Sequence, residues 1–362
     1  MNALWNSSTA KTQKWYQYPL DGYVSSTGKP YRVSLKRGTT NKLLVNFIGG
    51  GLSWNEETAA RPLTIGSLLS GKEGFYINDV SPLQLSLAHI GLLKASDKRN
   101  PLHDWHVLNI PYVTADFHIG NNDFPYQSLE NKRGQTSNKI LHHHGQQNAA
   151  AALDLLKDFF PQTPDTLLIM GQSAGGFGCL AHCHYISSLY PSCNQVIVYA
   201  DGAHLHSSLW PEVAGDVWRV NSELLPSIKS KDLIVDLFQH AQAIMPPTTL
   251  FLHSNSVWDK ALTEVMYKMN HGKLSINPQA LEEFHTTLVH ATNALRKDVP
   301  NYHYYVSDYG KSRRDGTTPH VFAGTPKLLY SKMQDGTSVA EWLSRALGRD
   351  PISVGTQFLQ NS

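Results

Sequence analysis

The chain alternates short, continuous apolar runs with longer stretches in which apolar positions return every three or four residues. Apolar runs bounded by glycine or proline suit strands buried on both faces, and the wider spacing suits amphipathic helices. Residues 42–48 read as such a strand, stopped by Gly49, Gly50 and Gly51, and residues 166–170 as a second, ending at Gly171. A weaker strand over 105–110 is closed by Pro111, and 195–200, 248–252 and 302–306 supply three more. Helices are expected over 145–160, where Leu153, Leu156 and Phe160 share a face, and over 174–190, which Pro191 ends. Strand and helix in repetition predict a mostly parallel sheet covered by helices on both faces. Residues 1–27 read as an extension, and 28–362 as one α/β domain with a helical insertion over 254–300.

Composition narrows this only a little. With 41% hydrophobic and 17% charged residues among 362, global disorder is excluded. Lys+Arg 31 against Asp+Glu 29 leaves a net charge of +2, too small for a protein whose task is gripping nucleic-acid phosphates. No run approaches the roughly 20 apolar residues of a membrane span. The N-terminus has no apolar core behind a basic start, so it is not read as a signal peptide; this fits a cytoplasmic protein or the mature form of a secreted one. Three cysteines, Cys179, Cys183 and Cys193, cannot all pair, so no disulfide framework is expected.

The chemistry concentrates at Gly171-Gln172-Ser173-Ala174-Gly175, a full G-x-S-x-G between a buried strand and a small-residue helix start. That context suits a nucleophile elbow, in which a strained turn projects the serine hydroxyl from the sheet edge and bulky neighbours would clash. It marks the fold as α/β-hydrolase-like. In this fold an acid and then a histidine follow the serine along the chain. Asp259 and His320 keep that order, each in a loop after a strand; Asp201 and Asp308 are rival acids, and His253 and His303 rival bases that fall within strand runs. Gly49-Gly50-Gly51 stand where an oxyanion loop would offer backbone N–H groups, with Ala174 N–H as a second source. No phosphate-loop pattern follows those glycines.

Three segments taken together resemble the pectin acetylesterase/Notum family of serine carboxylesterases: FIGGGLSWN at 47–55, PYVTADFHIGNND at 111–123 and GQSAGGFG at 171–178. YADGAH at 199–204, SNSVWDKAL at 254–262 and TPHVF at 318–322 extend the likeness. The resemblance implies Ser173 as nucleophile, Asp259 as acid, His320 as base, and Gly50, Gly51 and Ala174 as oxyanion donors, with no cofactor. It also implies an O-acetylated carbohydrate as substrate, with a longer acyl ester as the alternative. Plant members carry Trp-Cys after the glycines, where this chain has Leu52-Ser53-Trp54, so the likeness points to a microbial branch. A carbohydrate-binding pseudo-esterase is the reading from a different class, and the intact triad argues against it.

Further polar groups are read as substrate contacts or surface. Asp116, His118 and Asn121, with Asn122 and Asp123, suggest a polar cleft rim, and Trp54 a sugar-stacking face; Trp210 and Trp218 are weaker candidates. Neither that loop nor His142-His143-His144 has the fixed spacing of a metal motif, so no metal site is expected, and the three histidines read as a solvated helix cap.

Overall fold

In the computed structural model the described residues are 9–64, 67, 73–130, 133–333 and 335–360. The strand runs fold as their patterning demands. In β3 (Lys42–Phe47), Leu43, Val45 and Phe47 face one core while Leu44 faces the other. In β7 (Thr166–Gln172), Leu167 and Ile169 oppose Leu168 and Met170 in the same way. Side chains alternate across a strand, so a sheet covered on both sides favours near-continuous apolar runs; the exception in β3, Asn46, donates to Asn109 Oδ1 at 2.8 Å.

Among the described residues the sheet has eight strands in the order β1-β2-β4-β3-β7-β8-β9-β10. Its members are β1 (Trp15–Val24), β2 (Pro30–Lys36), β3, β4 (His106–Ile110), β7, β8 (Val196–Asp201), β9 (Leu250–Ser256) and β10 (Tyr302–Ser307). From β4 to β10 every neighbouring pair is parallel, whereas β1 and β2 run antiparallel at one edge. The segment read as an extension thus contributes the edge strand β1. A separate hairpin pairs β5 (Asn122–Gln127) with β6 (Asn138–His143), and sequence patterning gave no sign of it.

The longer described helices are α1 (Gly145–Asp154), α2 (Ala174–Ser188), α3 (Leu233–Ile244), α4 (Lys260–His271), α5 (Pro278–Asp298) and α6 (Val339–Leu347), of which α2 and α4 line the site. The expected helix over 145–160 ends its first piece at Asp154 and resumes as a turn over Leu156–Phe159. α4 starts at Asp259, whose side chain accepts from Leu262 N–H, and stops where Gly272 turns left-handed at φ 75°. α5 starts behind the Asn277 cap with Pro278 at its first position, as proline's missing N–H allows. These two helices supply the helical content expected over 254–300.

At the β10 edge the chain returns once more. Val306 N–H donates to Val354 O at 3.0 Å, and Val354 N–H to Tyr304 O at 2.9 Å. At the other functional point, β3 lies between β4 and β7, so the connections leaving β3 and β7 diverge to opposite sides. Ligands in open α/β sheets bind at the strand carboxyl ends where the order reverses. Gly49–Gly51 and Ser173 flank that crevice.

Candidate active site

Ser173 adopts φ 54° and ψ −125°, a conformation costly for any residue with a side chain, and the surroundings hold it there. Its N–H donates to Asp201 O at 2.7 Å, and its carbonyl accepts from Gly176 N–H at 2.8 Å. The turn is tight enough to dictate its glycines. A Cβ on Gly171 would lie 1.8 Å from Gly175 O, and one on Gly175 would lie 2.0 Å from Phe47 O. Ser173 is left at the positive end of α2, beside Ala174 N–H. Among the described residues, the N–H groups of Gly50, Gly51 and Ala174 have no backbone acceptor.

Asp259 is fully buried and uses both oxygens. Oδ1 accepts from Leu262 N–H at 3.0 Å, and Oδ2 lies 2.6 Å from His320 Nδ1. A carboxylate can only accept, so Nδ1 carries the proton and Nε2 is the free basic nitrogen. Burial of the imidazole pulls its pKa down, but the charge and hydrogen bond of Asp259, with a contribution from Asp201, hold it above the usual histidine value. About a quarter of the His320 side chain remains exposed.

Two straps fix the histidine loop. On one side Thr318 is stitched to the acid loop: its N–H donates to Trp258 O at 2.8 Å, and its Oγ1 accepts from Trp258 N–H at 3.0 Å and Ser256 Oγ at 2.6 Å. On the other, the buried carboxylate of Asp201 accepts from Phe322 N–H and Ala323 N–H, at 3.0 and 2.8 Å, and from Ser254 Oγ at 2.6 Å. Between them Val321 is forced to φ 52°, which a β-branched residue tolerates only when its environment over-determines it. Sequence reading missed Thr318 and weighed Asp201 only as a rival acid; its place at a strand's carboxyl end was the available signal.

Ser173 and His320 open into one cavity of about 370 Å³. Its walls are Ile48, Leu52, Phe75, Ile77, Phe117 and Phe177, closed by Leu205, Leu262 and Val265, with Gly49–Gly51 at the rim. Among the described lining residues none is Lys or Arg, and Glu264, raised above the usual carboxylate value by burial, is the one acid. Beside His320 a second groove of about 410 Å³ is lined by Lys260, Ala261, Glu264, Gly310, Ser312, Thr317, Thr318 and Pro319, a mostly apolar surface with a few polar groups along it.

The four residues read as substrate contacts lie elsewhere. Trp54 is 5% exposed and packs edge-on against Phe75, and Trp210 and Trp218 are fully buried, so none offers an open ring face. Asp116 is also buried, accepting from Thr114 Oγ1 at 2.7 Å, His118 N–H at 3.1 Å and Gly145 N–H at 2.7 Å. Burial pushes its carboxyl up to about 7 against those bonds. Burial also drives His118 down to about 3, and its neutral ring holds Ile48 O, directly before the glycines, at 2.9 Å. Asp116 and His118 thus support the glycine loop from beneath, in a turn where Ala115, Phe117 and His118 all have positive φ and Phe117 is turned into the cavity. Asn121 is exposed, accepting from Gln147. The rival bases are accounted for as well: His253 is buried with both ring nitrogens partnered, and burial lowers His303.

The sequence profile of the pectinacetylesterase family matches residues 28–208. No curated protein matches the sequence. Two structures of the Wnt deacylase Notum from Drosophila have the same fold as this chain. One is 14% identical over 93% of this chain and 94% of its own, the other 15% over 94% and 95%, each with a TM-score of 0.61.

Proposed function

The chain belongs to the pectinacetylesterase family of carboxylesterase hydrolases, and from that premise we propose that it cleaves its ester through a Ser173–His320–Asp259 triad. The observation carrying this reading is that Ser173, on a strained elbow, shares a cavity with a histidine paired to a buried carboxylate at 2.6 Å.

Ser173 Oγ attacks the ester carbonyl while His320 Nε2 takes its proton. The oxyanion is met by N–H groups of Gly50, Gly51 and Ala174. Collapse breaks the ester C–O bond, and His320 returns the proton to the leaving alcohol. Water then attacks the acyl-enzyme with His320 as base, releasing the acid and restoring Ser173. Asp259 holds the ring's tautomer and stabilises the imidazolium throughout.

For the acyl group, the walls favour an aliphatic chain longer than acetyl. An apolar void of roughly 150 Å³ already accepts a benzene-sized guest, and this cavity is more than twice that size. An acetyl group would leave most of it unfilled. The groove beside His320, with Lys260, Glu264, Ser312 and Thr317 along it, leaves room for the alcohol half, such as a carbohydrate or a hydroxylated peptide. The family description favours acetylated carbohydrate instead, and this is the second reading; the fold's other likeness is to a protein described as a deacylase. Two measurements decide. A fluorophosphonate probe should label the wild type and not Ser173→Ala, which also separates an esterase from a binding protein. Hydrolysis of p-nitrophenyl esters of rising length, beside acetate release from acetylated glycans, should favour the longer esters; a maximum at acetyl would return the acetyl reading.

A further inference from the structure

The β5–β6 hairpin brings together two segments that the chain keeps apart. In its register Asp123 sits directly opposite His142, and His144 follows two residues on, at the entry to α1. His142 Nδ1 lies 2.6 Å from Asp123 Oδ1, and His144 Nε2 lies 2.9 Å from the same oxygen. The three ligand-type atoms all lie within 4.8 Å of one another, and the two imidazoles are 5.1 Å apart.

We propose that Asp123, His142 and His144 form a site for a divalent transition-metal ion of the zinc class, fastening the hairpin to the start of α1. Neutral imidazole presents a lone pair or an N–H at either nitrogen according to tautomer, so nitrogens aimed at a shared oxygen can equally be aimed at a shared cation. Metal–ligand distances of about 2.0–2.2 Å set neighbouring donor atoms of a tetrahedral site about 3.3 Å apart. The Asp123 oxygen has to withdraw by a fraction of an ångström, which its half-exposed side chain is free to do, and the two imidazole nitrogens, within 4.8 Å of each other, have to turn in to the same spacing. Two imidazoles and one carboxylate suit zinc, nickel or copper rather than calcium or magnesium, which prefer all-oxygen shells. The partial exposure of all three side chains leaves the remaining position to water.

The frame holding the ligands is rigid. Between the two ligand histidines His143 turns inward, fully buried, with Nδ1 2.9 Å from Thr114 O. Directly after His144, Gly145 N–H donates to Asp116 Oδ2 at 2.7 Å. The backbone beside each imidazole is thus pinned from the protein interior, so side-chain rotation alone brings the donors onto a cation. The site is separate from the Ser173 cavity, whose lining includes none of the three.

The test is zinc titration of chelator-treated protein by calorimetry. Wild type should bind one ion. Asp123→Ala, His142→Ala and His144→Ala should each weaken binding beyond the roughly 10–100-fold that removal of a merely supporting group costs. Because the chain has 18 histidines, the His142→Ala/His144→Ala double variant is the control for binding elsewhere. Copper(II) in place of zinc should give an electron paramagnetic resonance spectrum with two nitrogen couplings, lost in the double variant. Zinc should also slow amide exchange along residues 122–127 and 138–145 in the wild type alone. Unchanged zinc affinity in the double variant, or no binding by the wild type, overturns the proposal.

Discussion

At the scale of single residues, His320 makes a measurable demand on pH. As general base it must be neutral, and Asp259 holds its pKa above the usual value of about 6.5, so activity should rise with pH through a midpoint above that value. His320→Ala should remove that limb with nearly all turnover, whereas His253→Ala should cost mainly stability. The same shift stabilises the fold on the acid side: the contribution is complete below the unfolded pKa and is lost as pH rises through the folded one. Asp259→Asn should lower kcat by about 10⁴, as for triad acids in general, and far more than Asp308→Asn. Asp201→Asn tests a different role. It removes one charge that raises His320, so the acid limb should move toward lower pH while some turnover survives. A loss in Asp201→Asn deeper than in Asp259→Asn would reassign the acid.

At the scale of elements, the straps around the histidine can be cut separately from the triad. Thr318→Ala leaves Trp258 N–H and Ser256 Oγ without their acceptor, a cost of about 1–3 kcal/mol for buried donors. Thermal unfolding should register it, kcat should fall more than KM changes, and Thr318→Ser should restore both. The strap also explains which parts of the site were legible from sequence. β3 and β7 announce themselves because burial on both faces makes their runs almost wholly apolar, Asn46 being tolerated where it donates to Asn109 on β4, and the elbow because two glycines are the only residues its contacts admit. Ser173, Asp259 and His320 share one strand edge because each follows a parallel strand. Trp54 and Asp116 misled for a complementary reason. Side-chain type shows what a residue can bind, but an aromatic ring can serve as packing and a carboxylate as a backbone tie. The β5–β6 hairpin escaped notice because its strands carry mixed polarity and Pro125, and only pairing shows that Asp123 meets His142.

At the scale of the whole molecule, the cavity sets a length selection. Each methylene moved from water into apolar surroundings contributes about 0.8 kcal/mol, so kcat/KM should climb about fourfold per carbon until the cavity is full. Val265→Trp, placing a large ring on the cavity wall contributed by α4, should move that plateau to shorter esters and leave acetyl hydrolysis nearly unchanged. A plateau unmoved by the added ring would mean that the acyl chain lies elsewhere. The return of the chain at β10 carries its own consequence. β10 is the last strand of the sheet, and without Val354 its outer amides and carbonyls would be open to recruit a strand from another molecule. Val354 therefore caps part of this edge, the geometry that hinders strand-on-strand growth. Val354→Pro, which removes the N–H that donates to Tyr304 O, should make light scattering climb with time and concentration.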